Sequence, residues 1–222
     1  MMDKYPILYS FRRCPYAIRA RMAIYQANIK CEYREVLLKD KPESMMSLSN
    51  KGTVPVLLTP DDVIIDQSLD VMLWALHQND PEGWLNEDCS LGKTLVEYND
   101  NEFKYYLDRY KYHIGYPEYS QEYYRDKTIG YLELLEKCLN KNHGVALTAD
   151  HMAFSDVSIF PFIRQFANVD LNWFKTSSYK LINLWYNKIE QSDLFNASMN
   201  KYAQWSPENS PVYFPQKAKN VI

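Results

Sequence analysis

Every strand-like run in this chain falls within its first third, and beyond residue 78 the strand signals vanish. That lopsided distribution limits the possible folds more than any other feature. PILYS at 6–10 is a short apolar run of the kind that makes a buried strand. CEYREVLL at 31–38 alternates loosely and reads as a second strand. VPVLL at 54–58 and VII at 63–65 flank the turn TPDD at hairpin spacing. Between the first two runs, residues 15–28 read as a helix, with Pro15 in its first turn and Ala17, Ala20, Ile24 and Ala27 on one face. KPESMMSLS at 41–49 is a short helical or irregular piece. Residues 68–77 read as a helix with Leu69, Met72, Leu73 and Leu76 on its buried side.

The order is βαβ, a connection, then ββα. The first unit implies parallel strands joined by a right-handed crossover, and the hairpin adds an antiparallel edge. This is a thioredoxin-like α/β arrangement. NDPEGWLNED at 79–88 breaks the pattern, and helical periodicity follows at 91–112, 121–139, 154–167 and 179–191. The expected organisation is therefore a thioredoxin-like domain over residues 1–78, a linker over 79–90, and an all-α domain over 91–222. The proline-rich tail SPENSPVYFP at 206–215 is expected to run extended over the surface.

A chain of 222 residues, 46% hydrophobic and 24% charged, is ordinary for a globular protein with a real core. A net charge of -3 gives no reason to expect nucleic acid or an anionic membrane as partner. No apolar run approaches a membrane span, and the stretch MMDKYPILYSF lacks the apolar core of a signal peptide. The expected compartment is the cytoplasm, where thiols stay reduced. Cys14, Cys31, Cys89 and Cys138 form no C-x-x-C pair and no zinc spacing, and His77, His113, His143 and His151 form no H-E-x-x-H. The six glycines are scattered, so no phosphate-binding loop is present and neither a metal nor a nucleotide cofactor is expected.

RRCPYAIR at 12–19 carries the most chemistry. It sets Cys14 between a strand and a helix that begins at Pro15. Unpaired N–H groups and the positive end of the helix dipole stabilise an anion there, and Arg12 and Arg13 add positive charge. Such settings lower a cysteine pKa from ~8.5 to between about 3.5 and 7.5. The competing reading is a small buried hydrophobe. Pro55, in TVPVL, opens a strand. A cis bond at this point would turn the backbone of Val54 outward to pair with an extended peptide, and a trans bond would make an ordinary edge strand.

Four segments together resemble a cytosolic glutathione transferase, nearest the cysteine-containing omega-like branch. They are YSFRRCPYAIRARMA, LKDKPESM, KGTVPVL and IDQSLDVMLW. The spacings from Cys14 to Lys41, Lys41 to Val54 and Val54 to Gln67 also fit that branch. The resemblance covers the first domain strongly and the helical part loosely. It implies glutathione as co-substrate, a homodimer, and no metal. It further implies that Val54 pairs its backbone with the cysteinyl part beside Pro55. Gln67 and Ser68 would hold the γ-glutamyl carboxylate at a helix N-terminus, and Lys41 would reach the glycyl carboxylate. The branch often has Glu where Gln67 stands. The competing reading of Ser68 is a plain helix N-cap, a role compatible with the first, and that of Lys41 is a solvated surface charge.

By the same resemblance Cys14 forms a mixed disulfide with glutathione. Ala17 stands where a dithiol enzyme has its second cysteine, so a second glutathione releases the first. Disulfide reduction, deglutathionylation and dehydroascorbate reduction are the implied activities, with a small disulfide or an electrophile as second substrate. Tyr9 offers an alternative, stabilisation of a glutathione thiolate for conjugation to electrophiles, although a place in the core or pocket wall is the better reading. A third reading is a binding or regulatory protein with no turnover. Phe11 and Tyr16 beside Cys14, and Phe103, Lys104 and Tyr110 in the aromatic run VEYNDNEFKYYLDRYKY, are candidates for a second-substrate pocket; core packing is the competing reading of the helical aromatics. FSDVSIFPFIRQF resembles the family's buried helix, with Asp156 as half of a capping box whose other half is lost at Ala153.

Overall fold

The computed structural model describes residues 5–216. Residues 1–4 of the stretch MMDKYPILYSF and residues 217–222 lie outside them. The described residues pack as two units, one made of those up to Pro81 together with those from Ser192 onward, the other of Glu82–Gln191.

The first unit is built on a sheet of five strands. In chain order its early elements are β1 (Ile7–Ser10), α1 (Pro15–Gln26), β2 (Cys31–Glu35), α2 (Glu43–Leu48), β3 (Val56–Leu58), β4 (Ile64–Ile65) and α3 (Ser68–Gln78). β1 and β2 run parallel with Ile7 opposite Glu32, and β3 lies antiparallel on the other side of β1 with Leu8 opposite Leu57. Leu8, Cys31, Tyr33, Val56 and Leu57 are buried, the result of apolar side chains at strand positions that face a helix layer. α1 packs closely on α3 because its contact face is small, with Ala17, Ala20 and Ala23 wholly buried. The hairpin between β3 and β4 turns through Asp62, whose φ is 61°, and Asp tolerates that left-handed conformation better than most residues.

The second unit is helical. It runs through α4 (Cys89–Tyr98), a π-helical segment (Asn99–Phe103), α5 (Lys104–Lys111), a 3₁₀ turn (His113–Gly115), α6 (Gln121–Asp126), α7 (Ile129–Lys141), α8 (Phe154–Ala167), α9 (Leu171–Thr176) and α10 (Lys180–Glu190). The helix expected over 91–112 is thus interrupted by one wide turn, whose buried Phe103 packs against the tilted ring of Tyr131. The helix expected over 121–139 breaks where the Thr128 hydroxyl bonds back to the carbonyl of Arg125, 2.6 Å away, and closes α6. α8 is buried on almost every side.

Two expectations about organisation differ from the structure. Residues 82–90 do not form a free linker. Trp84 is fully buried, and its carbonyl accepts the Phe154 N–H at 2.9 Å. Nor do residues from 192 onward belong to the helical domain. α11 (Asp193–Ser198) packs on α1, and β5 (Tyr213–Phe214) pairs antiparallel with β2, Cys31 opposite Phe214. The tail expected to be extended over the surface supplies the last strand of the sheet, in the order β4-β3-β1-β2-β5, with Phe214 fully buried. Two gains hold it there: Phe214 is buried, and β5 pairs backbone groups that an uncovered β2 edge would leave open.

Candidate active site

All six candidates for the nucleophile and glutathione site belong to the first unit. Cys14 precedes the first turn of α1, in extended backbone (φ -74°, ψ 123°), and its side chain makes no capping bond. Its N–H donates to the Phe11 carbonyl at 3.1 Å, and its own carbonyl accepts from Ile18 at 2.9 Å. The thiol is partly exposed and directed toward the segment that leads into β3, where its Sγ lies 3.7 Å from the Val54 carbonyl oxygen. The Val54–Pro55 bond is cis. Behind the thiol, Tyr9, Ala17, Val36, Met45, Val54 and Val56 form one buried cluster, with Phe11, Cys14 and Leu48 packed against it. The sulfur therefore has an apolar floor, a carbonyl opposite, and the start of a helix behind it, where the N–H groups of a first turn lack partners within the helix.

The other cysteines stand apart chemically. Burial pushes the Cys31 thiol up to about 12, and burial also raises Cys138, so neither supplies a thiolate at neutral pH.

The remaining site residues are tied together by the loop that precedes Val54. A Cβ placed on Gly52, whose φ is 62°, would lie 3.5 Å from the Lys41 ammonium, so this lysine reaches the approach to Val54. Asp66 accepts from the Ser49 hydroxyl at 2.6 Å and from the Lys51 ammonium at 2.7 Å. Those bonds hold its carboxyl below the usual range. They also fasten the segment before Val54 to the start of α3. There Gln67, not Ser68, is the N-cap residue, and Gln67 makes no side-chain capping bond. Ser68 is the first helical residue, 5% exposed, and its hydroxyl accepts from Arg19 Nε at 3.0 Å. The capping reading of Ser68 is thus corrected: a buried arginine of α1 has taken its oxygen.

The second-substrate candidates divide. Phe11 and Tyr16 stay near Cys14, Phe11 beneath the Arg13 guanidinium at 5.7 Å and Tyr16 over that of Arg19 at 5.1 Å. Phe103 and Tyr110 are 1% and 3% exposed, with ring centroids 5.7 and 5.2 Å from Phe166. Their faces are occupied by the helical core, so packing accounts for both. Lys104 pairs with Asp108 one turn along α5.

Three charged residues that the sequence reading left unassigned shape this site. Arg19 and Arg21 are 2% and 0% exposed. Glu35 accepts the Arg12 N–H at 2.9 Å and the Tyr33 hydroxyl at 2.5 Å. A signal for Arg21 was present: it stands four residues after Ala17 and three before Ile24, on the apolar face of α1, where an unneeded charge is costly. No cluster of three metal-ligating side chains occurs among the described residues, and no helix there is long and apolar enough to cross a membrane.

Residues 8–83 match the family model of the glutathione S-transferase N-terminal domain. No curated protein matches the chain in sequence. Among solved structures, Ure2p5 from Phanerochaete chrysosporium, cocrystallised with 1-(S-glutathionyl)-2,4-dinitrobenzene, is 16% identical, with 90% of this chain and 94% of that one covered at a TM-score of 0.72. A glutathione transferase family member from Pseudomonas fluorescens Pf-5, with two glutathione bound, is 14% identical over 90% and 94% of the two chains, TM-score 0.74. A glutathione S-transferase from Rhodospirillum rubrum F11 is 18% identical over 89% and 93%, TM-score 0.70. The fold is that of the glutathione transferases: a thioredoxin-like mixed sheet followed by a helical region.

Proposed function

We propose that this protein is a glutathione-dependent thiol transferase of the omega-like kind, with Cys14 as the nucleophile. One observation carries the reading: a partly exposed thiol at the head of α1, aimed at the Val54 carbonyl beside Pro55. Glutathione is a short extended peptide, and the backbone of Val54 is the natural partner for its cysteinyl portion. The start of α3 at Gln67 and Ser68 suits the γ-glutamyl carboxylate, and Lys41 suits the glycyl carboxylate.

The chemistry runs in two exchanges. The Cys14 thiolate attacks the glutathionyl sulfur of a mixed disulfide, the S–S bond breaks, and the substrate thiolate leaves and takes a proton. A glutathione thiolate then attacks the sulfur of glutathione held on Cys14, so that oxidised glutathione departs and the Cys14 thiolate returns. Two electrons pass from glutathione to the substrate disulfide. By the same likeness the enzyme acts as a cytoplasmic homodimer.

The test is glutathione-dependent reduction of a small mixed disulfide by the native protein and by Cys14→Ala. The expected outcome is a loss of at least ~100-fold with the fold unchanged. Retained activity in the variant would remove Cys14 from the mechanism. Conjugation is the second reading, favoured by the S-conjugate held by the Phanerochaete relative. Rapid turnover of a chromogenic aryl halide by Cys14→Ala would establish it instead.

A further inference from the structure

Arg21 is wholly buried, seven residues beyond Cys14 on α1, and its partners are all neutral oxygens. Nη1 donates to Ser10 Oγ at 2.6 Å and to the Phe11 carbonyl at 3.3 Å, and Nη2 donates to the Arg12 carbonyl at 2.7 Å. Nε donates to the Ser198 carbonyl at the end of α11, 2.7 Å away. One guanidinium therefore grips the last residue of β1 and the first two of the connection to α1, and ties them to the C-terminal segment.

The connection is pinned from the other side as well. The Phe11 carbonyl that Arg21 holds also accepts the N–H of Cys14, at 3.1 Å. The N–H of Arg12 is held by Glu35, whose second oxygen is held by Tyr33. The charged and titratable groups on and around the loop include Arg12, Arg13 and Cys14 itself, Arg21 of α1, Tyr33 and Glu35 of β2, and Tyr202, whose ring lies 4.3 Å from that of Tyr33.

Burying a guanidinium without a carboxylate is costly, and an apolar side chain of similar volume would serve the core better. A lysine would supply the charge but not the planar fork that reaches four acceptors in fixed directions. The arrangement makes sense if loop geometry is what the residue provides.

We infer that Arg21 is a positioning residue. Its fork sets residues 10–12 so that Cys14 begins α1 with its sulfur toward Val54, and it makes that placement depend on the docking of α11. This role deepens the thiol-transfer reading and rests on it, since a placed sulfur matters only if the sulfur reacts.

The experiment is the pH dependence of Cys14 alkylation by iodoacetamide, followed at the Cys14 peptide by mass spectrometry, in the native protein, Arg21→Lys and Arg21→Met. The expected result is a rise of the midpoint by about one pH unit in both folded variants, because the thiolate loses its placement at the helix start. Lysine should not rescue, since charge alone is not the device. A folded Arg21→Lys with the native profile would overturn the inference. Should neither variant fold, Ser10→Ala removes one acceptor and leaves Arg21 in place. A smaller rise in the same direction supports the role, and an unchanged profile refutes it. A native Cys14 that titrates like a free thiol would defeat the thiol-transfer reading by itself. The comparison of variant with native would still decide the role of Arg21.

Discussion

Arg34 donates through Nη1 to the hydroxyl of Tyr9 at 2.5 Å. Tyr9 in turn donates its proton to Ser44 Oγ at 2.9 Å, and the Arg34 guanidinium lies over both the Tyr9 and Trp205 rings, 5.1 and 4.4 Å from their centroids; the two rings themselves meet edge-on at 6.1 Å. A phenol has one proton to give. Here it is given to Ser44, so none is left for a glutathione thiolate. The buried ring serves the core behind Cys14.

Tyr9→Phe should therefore leave disulfide reduction within about threefold of native while lowering stability by about 1 kcal/mol, the worth of one hydrogen-bonded hydroxyl. Steady-state rates and urea unfolding of the same sample check both halves. A collapse of activity in a well-folded Tyr9→Phe would bring conjugation chemistry back to the front.

The N-terminus of α8 makes a second prediction. Ala153 has no side-chain acceptor to offer as N-cap. Glu87, from the segment read as linker, takes its place: Oε2 accepts the Ser155 N–H at 3.1 Å and the Thr148 hydroxyl at 2.6 Å. Glu87→Ala should cost about 1–2 kcal/mol, and Glu87→Gln, which keeps an acceptor, roughly half of that. Thermal melts of the two variants decide the matter. Equal melting temperatures for native and Glu87→Ala would mean the cap contributes nothing.

Asp156 gives the third. Its carboxylate is fully buried and accepts from Ala153 N–H, Leu147 N–H and Trp185 Nε1 at 3.1, 3.0 and 2.7 Å. Burial outweighs those donors and, with the charge of Glu87 adding to it, raises the group from 3.8 to about 7. The folded chain thus keeps a proton that the unfolded chain releases near pH 4. The associated stability is fully present below pH 4 and is lost as pH rises through about 7, a swing on the order of a few kcal/mol. Asp156→Asn cannot titrate and should flatten that slope. Urea unfolding at pH 5 and pH 8 measures it; parallel slopes for variant and native would show that the carboxyl titrates normally.

Local pattern was enough to read the order of elements along the first 78 residues, because β1, β2, β3 and β4 and the helices between them each leave a local trace. Strand, C-P-aromatic and helix, a local signature, singled out Cys14; its closeness to Val54, 40 residues on, was implied only by the resemblance to the glutathione transferases. Pairings across the length of the chain left no such trace. β5 is two residues between prolines, and nothing in VYF says that Phe214 will stand opposite Cys31. The wide turn at Asn99–Phe103 adds one residue to a helix without disturbing its apolar face for long. Ser68 looked like a cap because its partner, Arg19, comes from another element. Phe103 and Tyr110 looked like pocket residues because aromatic density is the same in a core as in a cleft.

The position of β5 and α11 in the first unit bears on how the chain is made. A ribosome delivers the whole helical unit before it delivers either element, so the first unit, although begun first, is completed second. Domains commonly close in the order of synthesis; here that order is inverted. Until residues 193–214 emerge, the β2 edge has no neighbour and Arg21 lacks the Ser198 carbonyl. The nascent thiol unit waits half-built, with an open edge that other chains can pair with.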